Sequence, residues 1–192
     1  MIKLIDSGEV YAPREDSELM LKAVKFAHGE VLDMCAGSGV IGLNAAAKAD
    51  HVILADVNPK AVSLIKKNAK LNNITNYSAV RSDLFKRING KFDVIYCNPP
   101  YLPGKAKEPI EKALYGGPEG SEITIRFIEG LKNHLKPGGK AFLILSTAYD
   151  IQKVYKSLKS IGLRFKKLEN KRFFFEELIL ILIYENRRNS LQ

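Results

Sequence analysis

An α/β fold with a seven-stranded, mostly parallel sheet, helices on both faces and an antiparallel hairpin at its C-terminal end is the architecture this sequence predicts. Three observations predict it. Short β-rich runs alternate along the chain with longer segments of helical period, the pattern of strand–helix–strand units. Several of the runs are apolar almost throughout, as strands covered on both faces are. The last two runs are joined too closely for a helical crossover, so one of that pair must run antiparallel.

Taken in order, "EVLDMC" reads as the first strand, followed by a glycine turn and the helical "IGLNAAAKA". "HVILADV" is the second strand. Asn58 then caps a helix with Pro59 at its first position; Ala61, Val62, Ile65 and Ala69 form its apolar stripe, and it ends near "LNN". "YSAVRSDL" and "FDVIYCN" are strands three and four. A long loop leads to a helix from about Ser121 to Leu135, closed by "KPGG". "KAFLILS" is strand five, the segment around 150–161 is a further helix, and "LRFKKLENKRFFF" and "ELILILIYE" end the sheet.

Composition bounds the function. With 192 residues, 46% of them hydrophobic, the chain can bury one sizeable core. The formal charge of +9 suits an anionic partner such as RNA, a ribosome or an acidic protein, or equally a lysine-rich solvated surface. The densest basic runs, "LRFKK", "KRFFF" and "ENRRNS", lie near the C-terminus. Two cysteines, Cys35 and Cys97, make neither a disulfide framework nor a zinc pattern, so no metal is expected and a reducing cytosol is the expected compartment. No signal peptide is evident, and the longest apolar run, "LILILIY", is far short of the ~20 residues that span a bilayer. A soluble cytoplasmic protein without a membrane partner is the expectation.

In an open α/β sheet the ligand sits beyond the carboxyl ends of the strands. Strand one ends in "VLDMCAGSGVIG", where Gly37, Gly39 and Gly42 make G-x-G-x-x-G, and Asp56 follows at the end of strand two. That spacing alone admits a nicotinamide cofactor. Asp33 argues against it, because a carboxylate there would repel a pyrophosphate. The same carboxylate suits the ammonium and sulfonium of S-adenosyl-L-methionine. Asp56 would then accept the ribose hydroxyls, Asp83 the adenine amine, and Leu84 would flank the ring.

Strand four leaves through Asn98, Pro99, Pro100 and Tyr101, beside strand one and so beside a bound methyl donor. The Asn98 side-chain oxygen and the Pro99 carbonyl form a stiff pair of acceptors able to hold both hydrogens of one NH₂ group, since prolines fix φ and donate no N–H. Such a clamp suits an amide or arylamine nitrogen, and Tyr101 can stack on the planar group behind it. Catalysis would be positioning and electrostatic complementarity. A bare lysine amine, once deprotonated, has less need of the clamp. An adenine N6 amine fits it, although a duplex-acting enzyme must flip its base out. A non-catalytic binding module on the same scaffold is the reading from another class; the intact set Asp33, Asp56, Asp83 and Asn98 argues against it.

Lesser candidates remain. Cys35 and Cys97 end neighbouring strands and should approach each other beneath the cofactor, as buried free thiols. "RFFF" could stack nucleic-acid bases, though strand alternation and core packing explain it more simply. Gly116, Gly117 and Gly120 read as a substrate loop or as the approach to a helix capped by Ser121. Glu111 and Glu119 could steer a substrate, with a solvated surface the default.

"DMCAGSG", "ADVNP", "RSDL" and "NPPY" resemble, in order, the motifs of class I S-adenosylmethionine-dependent methyltransferases. "NPPY" resembles the amino-methylating subset, and "VYAPREDSELML" with "ALYGGPEGSE" resembles the short archaeal and eukaryotic branch of the HemK protein-glutamine methyltransferases. The resemblance spans nearly the whole chain. It implies a Rossmann-like single domain over 1–192, in which residues 1–29 form a segment and helix covering the cofactor site, with Glu15, Asp16 and Ser17 over the cofactor. It places S-adenosyl-L-methionine against Ser17, Asp33, Cys35, Gly37, Gly39, Asp56, Asp83, Leu84 and Asn98, with Asn98, Pro99, Pro100 and Tyr101 as the catalytic corner. It implies N5-methylation of the glutamine in the Gly-Gly-Gln motif of a translation release factor, and a small zinc-binding activator subunit paired with the sheet edge at strand three. Because strand one is expected to begin near residue 30, the N-terminal helical domain of bacterial HemK enzymes is not expected within this sequence. Adenine-N6 methylation of RNA or DNA and protein-lysine methylation remain as alternatives.

Overall fold

The structure, a computed structural model, describes residues 2–185. Most of the basic tail 186–192 flagged above lies outside the described residues. In chain order the elements are α1 (Glu15–Leu21), β1 (Glu30–Met34), α2 (Val40–Ala45), β2 (His51–Asp56), α3 (Pro59–Leu71), β3 (Tyr77–Arg81), β4 (Phe92–Cys97), β5 (Leu102–Pro103), β6 (Tyr115–Gly117), α4 (Glu122–His134), β7 (Leu135–Ser146), α5 (Ile151–Ser160), β8 (Leu163–Arg172) and β9 (Glu177–Glu185). Seven strands form one sheet in the order β3-β2-β1-β4-β7-β9-β8, and β5 pairs with β6 in a separate short ribbon. β1 pairs in parallel with β2 and β4, β2 with β3, and β4 with β7. β9 is antiparallel to both β7 and β8. The expected sheet is found, with its hairpin at one end.

Two apolar cores cover the two faces. One gathers Leu19, Met20, Leu43, Leu54, Ile65, Tyr96 and Phe142; the other gathers Leu32, Ile95, Phe127, Ile128, Leu131, Leu143 and Ile181. Side chains alternate across β1, so Leu32 serves one core and Val31 the other. Asn58 caps α3 as expected, its Oδ1 accepting Lys60 N–H at 2.9 Å with Pro59 next. The buried stripe of α3 is Ala61, Leu64, Ile65, Asn68 and Ala69; Val62 lies beside it, only half-buried.

Four local expectations are corrected. "KPGG" does not sit in a loop: α4 passes straight into β7 at Leu135, and the prolyl-glycyl stretch is absorbed as an irregularity in the β4–β7 ladder between Phe92 and Val94. A bulge takes up a residue that the ladder cannot pair. Ser121 stands at the start of α4 without a side-chain cap bond. Strand three stops at Arg81, because Ser82–Arg87 turn into a short 3₁₀ segment. Only Phe173 of "RFFF" packs against a core; Phe174 and Phe175 stand exposed beyond the end of β8.

The leading segment is extended and tied down by three asparagines. Ile2 N–H donates to Asn44 Oδ1 (3.3 Å), Lys3 N–H to Asn72 Oδ1 (2.8 Å) and Ile5 N–H to Asn68 Oδ1 (2.9 Å). These bonds lay it across α2 and α3 and lead the chain to α1. Among the described residues no helix is long and apolar enough to cross a membrane.

Candidate active site

The carboxyl ends of β1, β2, β3 and β4 open on a cleft with two lobes. The larger, about 500 Å³, is lined by Met34, Ala55, Val57, Leu84 and Ile123 with Asp56, Asn58 and Asp83 at its polar edge. The smaller, about 220 Å³, is lined by Asp16, Ser17, Asp33, Asn98, Tyr101 and Glu176. Cys35, Gly37, Asp56 and Pro100 face both lobes, so the two form one continuous site.

Sequence dictates the turn after β1. Gly39 holds φ +82°, a left-handed conformation that side chains resist, and starts α2 directly. The buried Asp33 accepts the Gly42 N–H at 2.8 Å through Oδ2, so it caps that helix end. Among the described residues it has no cationic partner, and burial pushes its carboxyl up to about 7. A buried carboxylate in this condition favours a positive ligand. Asp56 receives the Gly37 N–H on Oδ2 and the Asn58 N–H on Oδ1, both at 2.8 Å. Burial raises its pKa and these backbone bonds oppose the rise. Each oxygen keeps a second lone pair for a hydroxyl donor.

At the end of β3 the arrangement departs from a free acceptor. Arg126 Nη2 reaches both Asp83 oxygens, at 2.9 and 3.0 Å, and Lys86 Nζ lies 2.7 Å from Oδ2. Lys86 first, then Arg126, holds the carboxyl below its ordinary range. Asp83 thus lies at the expected place, with its charge already answered. Leu84 beside it has φ +48° and Cys35 has φ +60°, conformations that a side chain enters only when the surroundings demand it. Ser82 supplies that demand at Leu84: its Oγ donates to the Leu84 carbonyl at 2.6 Å and accepts the Arg87 N–H at 3.0 Å.

The corner after β4 carries the sharpest feature. Asn98 Nδ2 donates to Asp16 Oδ2 at 3.0 Å, and Asn98 Oδ1 is buried without a hydrogen-bond partner among the described residues. A carboxylate only accepts, so Asp16 fixes which end of the amide points where. Asp16 itself is buried at the start of α1, its Oδ1 taking the Ser17 N–H at 2.6 Å and the Ser17 hydroxyl at 3.3 Å. Leaving a buried carbonyl oxygen unpaired costs ~1–3 kcal/mol, which a ligand N–H would recover. Tyr101 lines the same lobe, and burial raises its phenol above the usual value.

The glycine loop braces this corner. The Tyr101 and Leu102 N–H groups donate to the Leu114 carbonyl at 3.1 and 2.8 Å. A Cβ on Gly116 would lie 2.5 Å from the Pro100 carbonyl oxygen, so only glycine permits the approach. Glu122 accepts the Glu119 N–H at 2.9 Å and holds the far side of the loop. Glu111 accepts the Lys107 and Glu108 N–H groups, and Glu119 pairs with Lys153; both serve structure at the surface. Cys97 is a buried free thiol and Cys35 a half-buried one near it, as their strand-end positions suggested; burial first, then that neighbour, raises the Cys97 thiol.

Comparison with known proteins bears on this geometry. The methyltransferase small domain family matches residues 12–174. The chain belongs to that family. A Methanocaldococcus jannaschii relative, provisionally named a protein N5-glutamine methyltransferase, is 42% identical over 186 residues, covering 94% of each chain. The release factor glutamine methyltransferase of Borreliella burgdorferi is 34% identical over 81% of this chain and 58% of its own greater length. Mouse methyltransferase HEMK2 is 31% identical, covering 81% of this chain and 80% of its own. Among solved structures, the E. cuniculi Mtq2–Trm112 complex, responsible for methylating the eRF1 translation termination factor, superposes with a TM-score of 0.74 at 25% identity, over 93% of this chain and 99% of that one.

For a methyltransferase small domain, the residues that sequence reasoning missed are those with distant partners. Asn68 on α3 is fully buried; it donates to the Ser38 carbonyl at 2.9 Å while accepting Ile5 N–H. It therefore joins the glycine turn to the leading segment. Ser82, Glu122 and Glu176 were missed likewise. A polar residue inside an apolar helical stripe was the one signal available, and it was at Asn68.

Proposed function

We propose that this methyltransferase uses S-adenosyl-L-methionine to methylate the side-chain nitrogen of a glutamine in a translation release factor. The observation that carries the reading is the buried Asn98 Oδ1, without a partner among the described residues, with Nδ2 of the same amide pinned by Asp16.

The cleft suits the donor. Asp33 offers a buried carboxylate to a cation, Asp56 offers lone pairs to ribose hydroxyls, and the apolar larger lobe takes the adenine between residues such as Leu84 and Val57. Asp83 would contribute by a remaining lone pair and by holding Leu84's turn. When bound, the donor supplies an electrophilic methyl on sulfur. The chain's own residues do the rest. Asn98 Oδ1 accepts one hydrogen of the glutamine NH₂ and the Pro99 carbonyl the other, which turns the nitrogen lone pair away from its own carbonyl. Tyr101 backs the planar amide. Asp16 prevents the Asn98 amide from rotating, so the grip is organised before substrate arrives.

A small activator subunit on the β3 edge belongs to the same reading. β3 ends the sheet, and none of its residues is fully buried; the E. cuniculi Mtq2–Trm112 structure is a complex with a second chain. Purified with and without such a subunit, the protein should differ in turnover.

The deciding experiment follows labelled methyl from donor to release factor carrying glutamine or alanine at the acceptor position, beside bulk RNA and lysine-bearing peptides. Label on the glutamine form alone is expected. Label in RNA or on lysine would replace the glutamine reading.

A further inference from the structure

We infer that the turn between β8 and β9, residues 173–176, is the arm that docks the polypeptide of the protein substrate; this rests on reading the site as a protein methyltransferase. Phe174 and Phe175 are 94% and 91% exposed and pack edge-to-face on each other, ring centroids 4.9 Å apart. No core claims them, and two adjacent phenylalanines left in water mark a surface that another molecule covers.

The turn is held firmly. Phe173 N–H donates to the Glu176 carbonyl at 2.7 Å, and its ring packs on the core. Thr147 N–H donates to the Glu177 carbonyl at 3.0 Å, and Glu177 N–H returns to Thr147 Oγ1 at 2.8 Å. Ser146 Oγ donates to Glu176 Oε2 at 2.5 Å. These bonds set the turn at the carboxyl end of β7, on the cleft side of the sheet. Glu176 itself lines the smaller lobe, so the aromatic pair begins one residue from the wall that faces Asn98. A polypeptide whose side chain reaches that amide has the pair within a residue of the lobe's wall.

Charge selects the occupant. Among the described residues, the two cations that precede the pair in sequence have carboxylate partners: Lys171 pairs with Glu18 at 3.2 Å, and Arg172 lies 3.8 Å from Glu177. Asp16 and Glu176 add carboxylates to the wall of the smaller lobe. This suits apolar side chains flanking the acceptor residue in a polypeptide, and opposes a phosphate backbone. Aromatic rings, phenylalanine among them, are enriched in the cores of such contacts.

The test is the double variant F174A/F175A of the full chain, whose removed rings support no core. KM for the release factor should rise about tenfold or more, with kcat moving by no more than about twofold. Calorimetric affinity for unreacted release factor should fall by the same factor, and donor affinity should hold. An unchanged KM and affinity overturns the arm while leaving glutamine methylation standing. Loss of affinity for a single-stranded RNA oligonucleotide instead, or conversion of a wild-type dimer to monomer, overturns it too. A wild-type chain that leaves glutamine unmethylated overturns both readings.

Discussion

The two lobes of the cleft are built from the same strand ends and treat their polar groups differently. In the larger lobe the carboxylates are occupied. Asp56 takes two backbone N–H groups, and Asp83 takes Arg126 and Lys86. In the smaller lobe Asn98 Oδ1 is buried with no partner, and Asp33 meets one backbone N–H and no cation among the described residues. A satisfied wall offers shape and spare lone pairs. An unsatisfied one reserves a place for a specific hydrogen or charge, because the cost of burying it falls away only on binding. On the proposed function, the larger lobe holds the donor by shape and spare lone pairs, and the smaller one joins a place for the donor's charge to the grip on the acceptor.

Asn98→Ala tests that division most severely. Transfer should fall by about 10²–10³ in kcat, the range for losing one preorganised transition-state hydrogen bond, while calorimetric donor affinity stays within a few-fold. Equal loss of both would make the corner a scaffold. Asp56→Ala should do the reverse, weakening donor binding about ten- to hundredfold because the Gly37 and Asn58 N–H groups lose their acceptor as well as the ribose. Unchanged donor affinity would remove Asp56 from the holding lobe.

Proton linkage at Asp33 gives a smaller, graded effect. Burial raises its carboxyl from 3.8 to about 7, so below that pH the unliganded protein keeps the proton that a cationic ligand must expel. Donor affinity should weaken by up to about tenfold per unit as pH falls below 7, and level off above it. Stability without donor runs the other way. The protonated group's contribution is present at low pH and fades as pH rises from 3.8 through about 7. A donor affinity flat from about pH 5 to 8 would mean that Asp33 faces no cation. The mildest change is Ser82→Ala, which frees the Leu84 turn. It should lower stability by ~1–3 kcal/mol and donor affinity by only a few-fold. A thermal midpoint equal to wild type would show that the turn holds without the hydroxyl.

Much of this was readable from residues alone, for local reasons. The strand ends announced themselves through Asp33, Asp56 and Asn98, each following an apolar run, and Asn58-Pro59 marked a helix start through chemistry confined to two positions. What escaped depends on partners far along the chain. Nothing near Asp16 says that its carboxylate meets an amide 82 residues later. Asp83 looked free because the arginine that claims it is 43 residues away, on α4. "KPGG" carried the signals of a loop, yet the neighbouring strand had room to absorb it as an irregularity. "RFFF" alternates like a buried edge, and only the end of the β8–β9 ladder at Arg172 and Glu177 leaves two of its rings outside.

The single bond from Asp16 to Asn98 also acts as an interlock. Its donor follows β4 and its acceptor stands on the leading helix, so a molecule with every strand paired but that helix lifted away would have an Asn98 amide free to turn. Seating of that helix and aim of the amide are therefore one event.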